Sequence, residues 1–119
     1  MTGDPGSGPT VEDVRGVLRA VLTPAAFPGR DELLAQAGTA EVVGGPLTML
    51  DLRVGPGPAV SPCPDGPVPV SAIVVDADAA PVGELLVWVE AGYLSGLEYA
   101  WYSDEPPGRL PAPDRIRVD

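Results

Sequence analysis

The sequence predicts an α+β fold in which two N-terminal helices pack on a curved antiparallel β-meander of about five to six strands. Two patterns along the chain carry this prediction. Apolar residues recur at spacings of three and four before residue 38, as on one face of a helix, and alternate with polar residues after residue 40, as along a half-buried strand. Because the helical segments precede the strands, we expect the helices to form one layer on one face of the sheet.

The first helix is predicted to begin at Thr10. Thr10 and Asp13 have the three-residue spacing of a capping box, in which each side chain accepts a hydrogen bond from the other residue's backbone N–H. Pro24 ends the helix, because proline has no N–H to donate to the preceding turn. The residues expected to face the core are Val11, Val14, Leu18, Val21 and Leu22.

The remaining elements follow in chain order. Residues 31–37 predict a second short helix that ends at Gly38. Its inward residues are expected to be Leu33, Leu34 and Ala37. Residues 40–54 predict a hairpin, because two apolar runs flank a Gly-Gly pair. Residues 68–75 predict a further strand, and residues 115–118 predict a short edge strand.

Proline and glycine divide the chain without adding a second domain. A chain of 119 residues fits one domain with one modest core. Residues 1–9 are rich in Gly, Pro and Ser and predict a flexible tail, so that residues 10–119 form a single α+β domain. Residues 55–67 hold five prolines and three glycines. This segment is longer than an ordinary connection, which indicates either a functional loop or a mobile one, and we favour the mobile loop.

A predicted hairpin over residues 84–102 holds five of the six aromatic residues. If the Ala-Gly pair at 91–92 forms a two-residue turn, Glu90 lies opposite Tyr93, and strict alternation extends that register along both strands. One face is then aliphatic and packs against the helices. The other face collects the predicted partner-binding residues, which are Glu84, Trp88, Glu90, Tyr93, Tyr99 and Trp101.

Aromatic side chains mixed with acids are typical of a protein-binding surface, since Trp and Tyr bury a large area and keep a polar group. An alternative stays open, in which this face is the core or is covered by the Pro-rich segments. A shift of one residue in register would exchange the two faces. In the predicted register Glu98 points toward the helices, where its charge needs a partner such as Arg53 or Arg117.

The formal net charge of −10 limits the classes of partner. Nucleic acids and anionic membranes both select clustered cations, so neither is expected to bind. An acidic surface favours a basic protein instead, because complementary charge speeds association. The N-terminal residues lack the basic and apolar regions of a signal peptide, and no apolar run is long enough to cross a membrane. We therefore expect a cytoplasmic protein.

The residue types argue against an enzyme. The chain has no His and no Lys, which removes the most common general bases and Schiff-base chemistry. Cys63 lies between prolines without a nearby cation and is interpreted as an incidental loop thiol. Asp76 and Asp78 lack the glycine and distal glutamate of an EF-hand and are interpreted as turn residues, so no metal is expected. Phosphate-binding glycine motifs are also missing, and no cofactor is expected.

Two stretches resemble a set of small actinobacterial proteins that have no established activity. One is the hairpin segment Trp88-Val-Glu-Ala-Gly-Tyr-Leu94, and the other is the tail Glu98-Tyr-Ala-Trp-Tyr-Ser-Asp-Glu-Pro-Pro107. The resemblance covers roughly residues 68–118 and implies no catalytic residues. In size, acidity and order of elements, the chain is also similar in style to immunity proteins that neutralise bacterial toxins.

Three functional hypotheses follow. The first is a non-catalytic acidic protein-binding module, namely an immunity protein whose aromatic face occupies or shadows the active site of a basic toxin. The second is a structural or self-assembling protein in which the same face pairs with a second copy of the chain. The third is a small-ligand carrier, which would need an apolar cavity.

Overall fold

The structure is a computed structural model that describes residues 9–119. Across these residues two helices pack on one face of a seven-stranded antiparallel sheet, which is open and curled. The predicted α+β class and the position of the helices are therefore confirmed, with more strands than expected. The predicted flexible tail lies outside the described residues, apart from Pro9.

The helices are α1 (Val11–Leu22) and α2 (Arg30–Ala37). The strands are β1 (Ala40–Gly44), β2 (Met49–Val54), β3 (Gly66–Pro67), β4 (Ala72–Val75), β5 (Pro81–Glu90), β6 (Tyr93–Trp101) and β7 (Ile116–Val118). The strand order is β1-β2-β6-β5-β4-β7, and β3 pairs with the same edge of β5 that β4 uses. The predicted hairpin is β1–β2, and the predicted edge strand is β7.

Helix α1 begins where the capping box predicts. The Thr10 hydroxyl accepts the N–H of Asp13 at 3.0 Å, and the Asp13 carboxylate accepts the N–H of Thr10 at 3.1 Å. Four of the five predicted inward residues are buried, but Val11 is 41% exposed. Val17 is buried instead, because it lies one turn from both Val14 and Val21 on the same stripe.

Helix α2 contributes two of its three predicted inward residues to the core. Leu33 and Ala37 are fully buried, whereas Leu34 is only half-buried. Gln36 is fully buried in its place. The core between the helices and the sheet is mainly aliphatic. Its largest fully buried apolar side chains are Leu18, Leu22, Leu33, Leu50, Leu85, Leu94 and Leu97.

The Pro-rich segment 55–67 is packed against the domain. Ser61 and Cys63 are each 5% exposed. The Ser61 N–H donates to the Gly92 carbonyl at 2.9 Å, and its hydroxyl donates to the Gly29 carbonyl at 2.9 Å. Prolines lower the entropy that a segment loses on ordering, so a few anchoring bonds suffice to hold it.

The predicted strand over residues 68–75 is shortened to β4, because residues 68–71 do not belong to a strand. The two-residue strand β3 precedes this segment, and both β3 and β4 pair with β5. Pro67 and Pro69 lie at the break between β3 and β4, where a proline cannot donate a ladder hydrogen bond. The Pro-rich composition therefore shortens this edge of the sheet.

The turn between β5 and β6 matches the prediction. Ala91 and Gly92 both have positive φ, at 54° and 83°, as a two-residue type I′ turn requires. Asp65 accepts the Ala91 N–H at 2.9 Å and holds the turn against the Pro-rich segment. Glu90 lies opposite Tyr93, as predicted.

Candidate functional site

The register of the β5–β6 hairpin departs from the prediction two residues after the turn. Strict alternation predicts Ser95 opposite Trp88, but a β-bulge at Ser95 places Gly96 there. Each later residue of β6 therefore points to the opposite face from the predicted one. Tyr99 moves to the helix side, and Glu98 moves away from it. The alternation of side chains could not reveal the bulge, because a bulge adds one unpaired residue to one strand only.

Tyr99 and Trp101 consequently lie on the helix side and do not belong to the predicted binding face. Tyr99 is 6% exposed, and burial raises the pKa of its phenol. Its ring lies over Gly83, where an added Cβ would be 2.6 Å from Cε1 of Tyr99. Trp101 lies opposite Gly83 at the end of β6 and is 39% exposed.

The other four predicted residues share the sheet face that points away from the helices. We call this surface the outer face. The pairing of the strands also brings residues of β1, β2, β4 and β7 onto it. The outer face comprises Glu41, Met49, Asp51, Arg53, Ile73, Glu84, Leu86, Trp88, Glu90, Tyr93, Gly96, Glu98, Ala100 and Arg117.

Trp88 and Glu98 are linked across the two central strands of the outer face. The indole Nε1 of Trp88 donates to Oε1 of Glu98 at 3.1 Å. Both side chains are half-buried. The prediction that Glu98 points inward and pairs with Arg53 or Arg117 was wrong, because the bulge reverses its face. The hydrogen bond restricts the indole and leaves the other carboxylate oxygen available to a partner.

Apolar residues of the outer face lie on three neighbouring strands. A Cβ placed on Gly96 would lie 3.5 Å from Cβ of Trp88 and 3.6 Å from Cε of Met49. The Trp88 and Met49 side chains therefore both lie next to Gly96, on either side of it. Leu86 lies in the next row, opposite Glu98, which in turn lies opposite Met49. This arrangement provides aromatic and aliphatic side chains interspersed with carboxylates.

The carboxylates of the outer face outnumber its cations. Among residues 9–119 one ion pair lies on this face, between Arg53 and Glu41 at 3.1 Å. The other cation of the face, Arg117, donates to the backbone carbonyl of Asp114 at 2.8 Å. Four carboxylates of the face have no cation partner within the described chain. They are those of Asp51, Glu84, Glu90 and Glu98.

A cleft of about 390 Å³ opens at one end of the outer face, between β2 and β6. The ladder between these strands ends at Asp51 and Gly96, because the bulge at Ser95 interrupts the pairing of β6. Glu90 and Tyr93 line the cleft. The bulge therefore both reverses the face of β6 and creates a depression next to two predicted binding residues.

Gln36 of α2 forms hydrogen bonds to the Pro-rich segment and to the β5–β6 hairpin next to this cleft. This role was not predicted from the sequence. Its side-chain nitrogen donates to the carbonyls of Ala59 at 3.0 Å and Gly92 at 2.9 Å, while its oxygen accepts the N–H of Leu94 at 2.9 Å. One sequence signal was present. Gln36 lies three residues after Leu33, on the inward stripe of α2, where a polar group needs hydrogen-bond partners.

Other residues considered for chemistry have structural roles. Cys63 is buried, which raises the pKa of its thiol. The Asp76 carboxylate accepts the N–H groups of Asp78 at 2.8 Å and Ala80 at 3.0 Å, which confirms the turn interpretation. The described part of the chain contains no group of three or more potential metal ligands. Neither described helix is long and apolar enough to cross a membrane.

Comparison with known proteins adds no relative from which a function could be transferred. No family model matches the chain, and no curated protein or solved structure shows a significant match. The outer face and its cleft are therefore the basis for inferring function.

Proposed function

We propose that the protein is a non-catalytic, acidic protein-binding module that uses its outer face to bind a basic protein. The observation that carries the proposal is the combination of aromatic and aliphatic side chains with four carboxylates that have no cation partner within residues 9–119. The proposed contact residues are the four predicted ones that share this face, namely Glu84, Trp88, Glu90 and Tyr93.

The charge of the face supports a basic partner over a second copy of the chain. Two outer faces brought together would place four uncompensated carboxylates against four others, which repels self-association. A basic surface would supply the missing cations. The net charge of −10 would also speed the encounter with such a partner at low salt.

The aromatic and aliphatic side chains support binding through preorganised anchors. Trp88 is held by its hydrogen bond to Glu98, so less side-chain entropy would be lost when a partner covers it. Trp is also the residue type most enriched among interface residues that dominate binding energy. Tyr93 is 41% exposed and Met49 is 37% exposed, which leaves apolar area for a partner to bury.

Within this class we propose an immunity protein that acts in the cytoplasm and neutralises a basic toxin. A toxin that acts on an anionic substrate needs a positively charged active site, and an acidic face of this kind can occupy or shadow it. The similarity in style to immunity proteins and the local resemblance to small actinobacterial proteins belong to this proposal. Both rest on the sequence alone.

The test begins with affinity capture of the tagged protein from its own cells at low salt, followed by purification of the bound protein and titration calorimetry. We expect a basic partner whose affinity falls at least tenfold between about 50 mM and about 500 mM NaCl, since salt screens the carboxylates. Trp88→Ala is expected to abolish measurable binding. Trp101→Ala is the matched control, because it removes the same side chain from the opposite face of the same hairpin.

Two results would contradict the proposal. One is a partner that binds Trp88→Ala as tightly as it binds the unchanged protein. The other is a concentration-dependent dimer in sedimentation experiments that Trp88→Ala disrupts, which would assign the outer face to self-assembly instead.

A further inference from the structure

The cleft between β2 and β6 is a consequence of how these two strands separate. They pair over three residues only, from Met49 to Asp51 on β2. Beyond this point β2 continues as Leu52, Arg53 and Val54, while β6 is displaced by its bulge at Ser95. Residues 55–58, which follow β2 directly, complete the lining. The resulting depression of about 390 Å³ is large enough for one long side chain.

The lining combines an apolar interior with polar groups near solvent. Leu52 and Leu94 are buried, at 7% and 2% exposure, so the accessible aliphatic surface of the lining comes mainly from Pro56 and Pro58. Tyr93 is 41% exposed and contributes an aromatic ring. Glu90 is exposed and is the last residue of β5, directly before the turn. A guest in this cleft would therefore contact aliphatic, aromatic and carboxylate groups together.

The electrostatic balance of the cleft favours a cation. Two charged residues line it, Arg53 and Glu90. The Arg53 guanidinium is already bound to Glu41 at 3.1 Å, so its charge is compensated, whereas Glu90 has no cation partner in residues 9–119. Asp51, two residues before Arg53 on the same face, adds a further uncompensated carboxylate. Negative charge therefore dominates at this end of the outer face.

We infer that this cleft is the anchor pocket of the binding face and takes an arginine side chain of the basic partner. The inference rests on the proposed function. The aliphatic stem of the arginine would pack on Pro56 and Pro58, as long charged side chains do on apolar surfaces. Its guanidinium would lie against the Tyr93 ring and hydrogen-bond to the Glu90 carboxylate. A planar guanidinium can make both contacts, whereas a lysine ammonium is compact and more strongly hydrated.

The test is an NMR titration of the full chain with a short peptide of alternating glycine and arginine, and with the matching glycine and lysine peptide. Low salt keeps the weak binding measurable. We expect the arginine peptide to shift the backbone amides of residues 52–55, 57 and 93–95, and to bind severalfold more tightly than the lysine peptide. Glu90→Gln should lower the affinity for the arginine peptide by about tenfold, which is the effect of losing one charged hydrogen bond.

Asp78→Asn is the charge-matched control. It removes one negative charge from the turn before β5, at the far end of that ten-residue strand from Glu90. Its affinity for the arginine peptide should stay within about twofold of the unchanged protein, since a distant exposed charge is screened. Thermal unfolding of both variants verifies that each is folded.

The outcomes separate this inference from the proposed function. Shifts confined to the amides near Trp88 and Glu98 would overturn the pocket while leaving the outer face as the binding surface. Equal affinity for the lysine peptide would overturn the selection of a guanidinium. Equal weakening by Glu90→Gln and Asp78→Asn would show only long-range charge attraction and would overturn the pocket as well. If no backbone amide shifts, the result would contradict both the pocket and the proposed function.

Discussion

The side-chain oxygen of Gln36 accepts the backbone N–H of Leu94 at 2.9 Å, with both groups buried. Because Glu90 and Tyr93 close a two-residue turn, the Leu94 N–H points away from β5, toward the edge where β2 would pair. The ladder between β2 and β6 has ended before this point. Gln36 therefore replaces a missing strand neighbour, and its amide nitrogen ties the same edge to the Pro-rich segment through Ala59.

Replacement of Gln36 by leucine is expected to destabilise the protein strongly. The substitution leaves the Leu94 N–H and the Ala59 carbonyl without the partner they have now, while the Gly92 carbonyl keeps its bond from Ser61. Each buried polar group left unpaired costs about 1–3 kcal/mol, so we expect a loss of about 2–4 kcal/mol in the free energy of unfolding. Urea denaturation measures this loss directly.

Gln36→Glu is the companion variant, because it keeps the shape and one acceptor oxygen. A buried carboxyl group favours its neutral form, so its pKa in the folded state should lie above the unfolded value of about 4.3. The variant should then be more stable, relative to the unchanged protein, near pH 4 than near pH 7. A leucine variant as stable as the unchanged protein would mean that these three bonds contribute little.

A side chain at Gly83 is expected to destabilise the protein, because it would clash with the neighbouring strand β6. A Cβ at this position would lie 2.6 Å from Cε1 of Tyr99 and 2.8 Å from the Ala100 carbonyl oxygen. Gly83→Ala must displace the aromatic ring or the backbone, which should cost about 2 kcal/mol. Gly96→Ala is the control, because its added Cβ would meet no atom closer than 3.4 Å.

The two glycine variants are compared by thermal unfolding. Tyr99→Leu in the Gly83→Ala background should recover part of the lost stability, since the clash with the ring is then removed. Equal losses for the two glycine variants would show that chain entropy, and not the contact with Tyr99, determines the effect.

Alkaline pH is expected to destabilise the fold through two buried groups. Burial raises the pKa of the Cys63 thiol and of the Tyr99 phenol. Both groups are therefore neutral in the folded state at pH values where they ionise in the unfolded chain. Their contribution to stability is complete below the unfolded pKa values of about 8.5 and about 10, and it is lost as the pH rises through the folded values.

Urea denaturation between about pH 7 and about pH 11 measures this dependence. Cys63→Ala should flatten the fall in stability in the lower part of this range, and Tyr99→Phe should flatten it in the upper part. The Cys63 thiol should also react with a thiol reagent more slowly in the native protein than in urea. Fast native labelling would contradict the burial of Cys63.

Local signals predicted much of the fold because they depend on neighbouring residues. The Thr10 capping box, the hairpin of β1 and β2 and the turn at 91–92 each arise from interactions within a few positions along the chain. The order of the elements then predicted the α+β class. The composition of residues 55–67 did not predict their packing, since Ser61 is held by Gly29 and Gly92, which are distant in sequence.

By itself, the sequence determined the helices, the strands of the central hairpin, its turn and the acidic character of the protein. Only the tertiary structure decided which face of β6 is buried. The bulge at Ser95 has no signal in a pattern of period two, and one extra residue exchanges both faces beyond it. The same bulge buries Tyr99 over Gly83, exposes Glu98 to Trp88 and opens the cleft beside Tyr93. Which residues form the outer face therefore depends on the register, which is set by packing across the whole sheet.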